Sequence, residues 1–355
     1  MRYFFAATIC FIQFLGYSVA QIDTLVPLPT IELSAPRLRV DHPAHAAWDS
    51  LELRWLPGAN LADLLSQHSG AYVRSYGQGS LATLRVRGAA AEQSTVLWNG
   101  LPISSPALGL NDLALLPVFL IDEARLIPGG QSALWGSGAV GGSLQLNNAA
   151  PPSGHRLRLG AGLGSFGWQQ QYLQYSFGTQ KLQSSTRLLH QAARNDFPYK
   201  LGSEQRRQSH AETAQWLALQ ECYFRPDDRH QLVMRLWGQF TDRAIPPTTV
   251  QTRSGADQED RFLRGSLHWT HQRRLGIWQA RLGVFREHTF YSDTLTGETA
   301  PSDFLILQGE VEYQREFRRL GRFNFGSHWQ NAQATTTGYS DGREQSRLAF
   351  FGNWR

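Results

Sequence analysis

Gln170-Gln171-Tyr172-Leu173-Gln174-Tyr175-Ser176-Phe177 alternates along its length. Leu173, Tyr175 and Phe177 fall on odd positions, Gln170, Gln174 and Ser176 on even ones. A period of two places the two sets on opposite faces of a β-strand. The same texture returns in Arg156-Leu157-Arg158-Leu159-Gly160 and in Gln231-Leu232-Val233-Met234-Arg235-Leu236-Trp237. It returns again over residues 276–285 and in Arg322-Phe323-Asn324-Phe325-Gly326. Turn signals separate these runs: Gly164-Ser165-Phe166-Gly167, Pro226-Asp227-Asp228 and Arg319-Leu320-Gly321. Longer polar connections cover 197–209 and 245–260. From residue 155 onward the pattern gives about ten strands of about ten residues or more, the pattern of an antiparallel transmembrane β-barrel. A soluble sandwich uses strands of about five or six residues, so these are too long for one.

Upstream, residues 45–148 read as a small α+β module. Asn60 is a candidate N-cap for a helix whose Leu61, Leu64 and Leu65 share one face, with Gly70 beyond its end. Strands are expected at Leu84-Arg85-Val86-Arg87-Gly88, at Thr95-Val96-Leu97-Trp98, and over 119–127. Asn99-Gly100 between apolar runs is a hairpin signal, because both residues tolerate positive φ. Gly136-Ser137-Gly138-Ala139-Val140-Gly141-Gly142 then leads into Ser143-Leu144-Gln145-Leu146-Asn147.

The N-terminus has the form of an export signal: Arg2, an apolar stretch over 3–15, and Ser18-Val19-Ala20 before Gln21. The apolar stretch is too short to span a bilayer, and no later segment approaches the roughly 20 apolar residues of a membrane helix. Cys10 would leave with the signal, so Cys222 is the only cysteine of the expected mature chain and no intrachain disulfide is expected. Residues 21–44 are Pro-rich and suit an extended arm. The formal net charge is +5, yet Lys181 and Lys200 are the only lysines and the arginines are scattered along strand-like segments. No basic face forms, which argues against nucleic acid.

These pieces together resemble the TonB-dependent outer-membrane receptors, cobalamin receptors in particular. The resemblance rests on Asn60-Leu61-Ala62-Asp63-Leu64-Leu65 with Gly70, Leu84-Arg85-Val86-Arg87-Gly88, Val96-Leu97-Trp98-Asn99-Gly100, the run from Ile121 to Ile127, and residues 132–142, in that order. It implies a signal peptide at 1–20, a periplasmic arm at 21–44, a plug domain at 45–150, and the first part of a barrel at 151–355. A barrel of about 22 strands needs roughly 400 residues, so the barrel is expected to be incomplete in this chain; a complete ten-strand barrel is the rival.

The implied activity is uptake of a scarce bulky nutrient, cobalamin-type or a ferric siderophore, across the outer membrane. The alternative is a passive or structural outer-membrane barrel, such as a small porin or adhesin. The implied partners are the energy-coupling protein TonB, outer-membrane lipid, a small-molecule or metal-chelate ligand and a surface lipoprotein. TonB would pair with the arm by strand addition, at Asp23, Thr24, Leu25 and Val26 or at Ile31, Glu32, Leu33 and Ser34; both segments resemble the family's TonB box. The family's plug–barrel ion cluster would use Arg85 and Arg87. This chain departs from the family where Pro128-Gly129-Gly130 replaces Arg-Gly-Pro and where Arg125 replaces a glutamate. Buried charges require partners, and Asp122 or Glu123 is the expected substitute beside Arg125. Gly88, Asn99, Gly100, Gly136, Gly138, Gly141 and Gly142 are expected at plug turns, with Gly136, Gly138 and Gly141 against the barrel wall.

Other constellations are weak. Gly136-x-Gly138-x-x-Gly141 and Gly162-x-Gly164-x-x-Gly167 lack the strand–helix context of a dinucleotide site, and the second suits a periplasmic hairpin turn. His268 and His271 would face opposite sides of a strand, so no metal site, cofactor or catalytic set is expected. Trp216, Trp237, Trp269, Trp278 and Trp329 suit an interfacial girdle.

Overall fold

The computed structural model describes residues 46–354 except 78, 107, 108, 249, 275, 318–320 and 339–341. The signal peptide, the arm and both TonB-box segments therefore lie outside the described residues.

The module begins with β1 (Ala46–Trp48) and α1 (Ser50–Arg54), followed by α2 (Leu61–His68). Asn60 caps α2: its side-chain oxygen accepts from the Asp63 amide at 2.9 Å, and Asp63 returns a bond to the Asn60 amide at 3.2 Å. Partial burial raises the Asp63 carboxyl above its usual range, against that amide, which lowers it. The cap aims Leu61, Leu64 and Leu65 into the core, where all three are buried. Asn60→Ala is expected to cost about 1 kcal/mol and Asn60→Asp much less, read as shifts of the module's denaturation midpoint. Equal shifts for the two variants would show that the cap bond contributes nothing.

The strands β2 (Tyr72–Ser75) and β3 (Ala82–Arg85) form a hairpin. A five-stranded mixed sheet follows, built from β4 (Ser94–Trp98), β5 (Leu101–Pro102), β6 (Glu123–Pro128) and β7 (Gly142–Asn147) together with β1, in the order β1-β6-β7-β4-β5. Asn99 (φ 49°) and Gly100 (φ 85°) make the tight β4–β5 turn.

Two expected strands are shorter than their patterns. Residues 118–120 form a 3-10 turn and the strand starts only at Glu123. Likewise β3 ends at Arg85, because Arg87 (φ 51°) and Gly88 (φ 78°) turn the chain over an Ala89 amide bond to the Val86 carbonyl at 3.0 Å. Gly141 and Gly142 pack inside the module rather than against the wall. A Cβ on Gly142 would lie 2.6 Å from the Ile127 carbonyl oxygen, and one on Gly141 2.5 Å from the Ala89 Cβ. Gly138 lies nearest Glu92 of the module, and Gly136 has no neighbour that a Cβ would meet.

The wall is one antiparallel ten-stranded sheet. Its strands are β8 (Gly154–Leu163), β9 (Gln169–Gly178) and β10 (Leu182–Ala193), then, after a small hairpin of β11 (Pro198–Leu201) and β12 (Glu204–Arg207), β13 (Thr213–Phe224). They continue as β14 (His230–Ile245), β15 (Ala256–Arg273), β16 (Gly276–Asp293), β17 (Glu298–Phe317), β18 (Gly321–Thr336) and β19 (Arg343–Trp354). Sequence neighbours pair throughout, and β8 and β19 are the sheet's edges.

The alternation sorts as the pattern requires. On β14, Leu232, Met234 and Leu236 are exposed on the outer face, whereas Val233, Arg235, Trp237 and Gln239 are buried on the inner one. An apolar outer face fits lipid, which offers the backbone no hydrogen bonds and tolerates only paired strands. Trp216, Trp269, Trp278 and Trp329 are exposed outward, but Trp237 points inward into the core and is no girdle residue. The 164–168 turn is likewise not where its shortness suggested. The Phe166 carbonyl accepts from the Arg194 and Asn195 amides at 3.0 and 3.2 Å, which sets that turn at the end carrying the long 194–212 connection.

Candidate functional site at the interface of module and wall

The core does not stop at the module's edge. Leu189, Leu217, Leu219, Trp237, Phe285 and Ile306 of the wall belong to the same apolar cluster as Trp98, Leu101, Leu116 and Phe119 of the module. Trp98 packs edge-on against Trp237 at 5.5 Å and lies 6.5 Å from Phe285. Arg264 sits 4.6 Å over the Trp237 ring, and its charge is matched by Glu287 at 2.5 Å. The Trp98 indole N–H donates to Asn148 Oδ1 at 3.0 Å, and Asn99 donates to the same oxygen at 2.9 Å. Asn148 in turn donates to the Leu120 carbonyl, so the hairpin tip, the 3-10 turn and the exit to the wall are joined through one amide. At that tip, a Cβ on Gly100 would lie 3.3 Å from Arg281 Nε of the wall.

Two buried ion clusters flank this apolar layer. In the first, Asp122 accepts from Arg187 of β10 at 2.5 Å and from the Ala149 amide at 3.0 Å. Arg187 also donates to the Phe119 carbonyl at 3.1 Å and lies 3.6 Å from Glu221 of β13. Glu221, at 0% exposure, accepts from Tyr223 at 2.9 Å and from Arg235 of β14 at 3.3 Å. Two arginines thus oppose two carboxylates, so the group is formally neutral, the condition under which buried charge is tolerated.

In the second cluster, Asp112 accepts from the Ala82 and Ala114 amides, each at 3.0 Å, and from Arg243 at 2.7 Å. Arg243 reaches Asp260 of β15 at 3.2 Å, which Thr289 and Gln258 also bond. Nearby, Gln215 and Gln239 both donate to the Leu115 carbonyl, at 3.2 and 2.8 Å. Arg235 and Arg243 are eight residues apart on β14, about 26 Å along a strand, so the module is held at two well-separated heights.

Of the five charged residues expected at this interface, Asp122 alone meets the wall through an ion pair. Glu123 and Arg125 pair with each other on β6 at 2.5 Å, because neighbours two apart on a strand share a face; Glu123 also accepts from Asn147. Arg85 is half-buried and Arg87 exposed in its turn, and neither makes an ion pair among the described residues. The cluster is thus built from Arg187, Glu221 and Arg235, which sequence reasoning missed. A signal did exist: a charged residue on the inward set of an alternating run, such as Arg235 between Val233 and Trp237, demands an interior partner. Asp112 has no comparable signal in the sequence.

The TonB-dependent receptor plug domain family matches residues 48–143. The module is thus a TonB-dependent receptor plug domain. The wall after it is an antiparallel ten-stranded sheet of outer-membrane β-barrel type, not closed on itself. The vitamin B12 transporter BtuB of Photobacterium profundum is 34% identical over 119 residues, which are 34% of this chain and 20% of that protein. The copper transporter OprC superposes with a TM-score of 0.68 at 15% identity, covering 83% of this chain and 48% of its own. The siderophore receptor PiuA from Acinetobacter baumannii gives 0.65 at 15% identity, covering 85% and 52%. The chain therefore spans about half the length of these solved receptors, and its aligned part about a fifth of the curated relative. All three relatives are transporters or receptors and none is an enzyme. Among the described residues no cluster of His, Cys, Asp and Glu could hold a metal ion.

Proposed function

We propose that this receptor takes up a scarce, bulky nutrient, a cobalamin-type compound or a ferric siderophore, with the plug gating the barrel. The observation carrying the reading is the plug's seat: a continuous apolar core flanked by two buried ion clusters that tie it to β10, β13, β14 and β15. A passive pore has no need of such a seat. The vitamin B12 transporter's likeness over 119 residues favours cobalamin, and the siderophore receptor's likeness in fold over 85% of this chain keeps the second class in view.

In this reading residues 1–20 are the signal peptide, 21–44 the arm, 45–150 the plug and 151–355 barrel wall. TonB pairs with the arm at Asp23, Thr24, Leu25 and Val26 or at Ile31, Glu32, Leu33 and Ser34, where backbone bonds supply affinity. Asp122 carries the plug's charge contact with the wall, Glu123 and Arg125 stiffen the strand behind it, and Asn99 and Gly100 form the tip that abuts the wall. Gly88, Gly136, Gly138, Gly141 and Gly142 shape the plug's own turns. The ligand and any surface lipoprotein would meet the end of the barrel carrying the long connections.

Deleting residues 21–37 should abolish energised uptake while leaving the barrel assembled, measured as accumulation of labelled cobalamin and of a labelled ferric siderophore in cells. Uptake that survives both the deletion and collapse of the proton gradient would overturn the proposal in favour of a passive barrel.

A further inference from the structure

We infer that the wall's rim at its short-turn end binds an anionic phospholipid of the periplasmic leaflet, gripped by Arg229 and Arg273 above the stacked rings of His230, Trp269 and His271. The inference uses only the outer face of the wall and the reading of that face as lipid-facing.

The ends of β9, β13, β15 and β17, where the chain turns back within a few residues, share one end of the sheet, the periplasmic end in bacterial barrels. Just inside that end, direct cross-strand partners form an unbroken outer row: His230, His271, Trp278, Tyr313 and Phe325 on five successive strands. Trp278 and Tyr313 rings lie 4.5 Å apart, and Tyr313 and Phe325 5.4 Å. These three are ordinary interfacial aromatics, with flat amphipathic rings at headgroup depth.

The β14–β15 end of the row differs. His230 stacks on His271 at 4.2 Å, and Trp269 lies parallel to His271, 2° between planes, at 5.7 Å. Trp269 Nε1 donates to His230 Nδ1 at 3.3 Å, while Arg273 Nε donates to His271 Nε2 at 2.9 Å. With Nε2 accepting, the neutral His271 ring carries its proton on Nδ1. That nitrogen is buried without a partner, in a residue only 9% exposed. Such an orphaned polar atom is costly.

Arg229 stands beside Arg273, since the Gln272 amide bonds the Arg229 carbonyl at 2.8 Å. Neither arginine is in an ion pair among the described residues. The turn carboxylate Asp227 accepts from the Arg229 and His230 amides at 2.8 Å each, and the Arg229 amide chiefly holds it below the usual carboxylate range. The site therefore offers two guanidinium groups at headgroup depth, standing over the stacked rings. Below it, Leu232, Met234 and Leu267 give a smooth apolar track for acyl chains. A phosphodiester with no neutralising amine matches this; a zwitterionic headgroup brings an ammonium towards two cations.

The test uses the full chain, purified in mild detergent and equilibrated with equal phosphatidylglycerol and phosphatidylethanolamine, with retained lipid counted by native mass spectrometry. The wild type should retain phosphatidylglycerol in clear excess, and Arg229→Gln and Arg273→Gln should each lower that preference about fivefold. Folding of each variant is checked by the heat-dependent gel shift of intact barrels. The wild type alone supplies a second reading: its preference should shrink severalfold between about 0.05 and 0.5 M salt, as screening of exposed charge requires. Equal retention of the two lipids by the wild type, a preference insensitive to salt, or an undiminished preference in a folded double variant would each overturn the site.

Discussion

Replacing Arg187 with methionine is expected to loosen the plug within an intact barrel, by about 3–5 kcal/mol. Arg187 is the hinge of its cluster: it bonds Asp122 and the Phe119 carbonyl on the plug side and faces Glu221 on the wall side. Without it, two carboxylates share the single cation Arg235, and one negative charge is left buried. Methionine keeps the volume, so the loss is electrostatic rather than a cavity. Hydrogen exchange of the full-length receptor in micelles is the direct measurement. Amides of β4, β6 and β7 should exchange about two to three and a half orders of magnitude faster, since each 1.4 kcal/mol is roughly tenfold. Amides of β14 to β17 should not change.

The double variant Arg187→Met with Asp122→Leu removes one charge of each sign and leaves Glu221 with Arg235. It should recover much of the lost protection, because contacting residues couple strongly. A single variant that exchanges like the wild type, or a double variant no better than the single, would show that the cluster does not seat the plug.

Trp98→Ala should be nearly as damaging by a different route. Trp98 is 2% exposed, lies between Trp237 and Phe285 of the wall, and holds the Asn148 amide through its indole nitrogen. Large-to-alanine changes of a buried aromatic cost about 3–5 kcal/mol, through lost transfer energy and the cavity left behind. Trp98→Phe keeps most of the ring and loses the hydrogen bond, so it should cost about half as much or less. The urea concentration at which protease begins to cut the plug reports these losses while the barrel persists. A midpoint for Trp98→Ala within error of the wild type would mean that the aromatic layer adds no grip.

The wall was legible from one rule, the strand period of two. Leu232-Val233-Met234-Arg235-Leu236-Trp237 announces two faces from the residues alone, and the structure sorts it that way. The Asn60 cap and the Asn99-Gly100 turn were legible too, because each depends on residues within three or four positions. Trp237 was misplaced because residue type suggested a girdle, whereas its parity with Val233 and Arg235 puts it on the inward face, where it is buried. Periodicity said little about the 164–168 turn, whose length is that of a periplasmic turn although it lies at the opposite end.

Local chemistry in the chain therefore determined the elements: which runs are strands, where helices start, where the chain reverses, and that the second half has a lipid-compatible face. Tertiary structure alone decided the charge partners. Asp122 and Arg187 are 65 positions apart and Asp112 and Arg243 are 131 apart. Which carboxylate meets which guanidinium depends on the plug's seat against the wall, to within an ångström or so. A buried charge states that it needs an opposite neighbour, but the sequence carries no coordinate for where that neighbour will be.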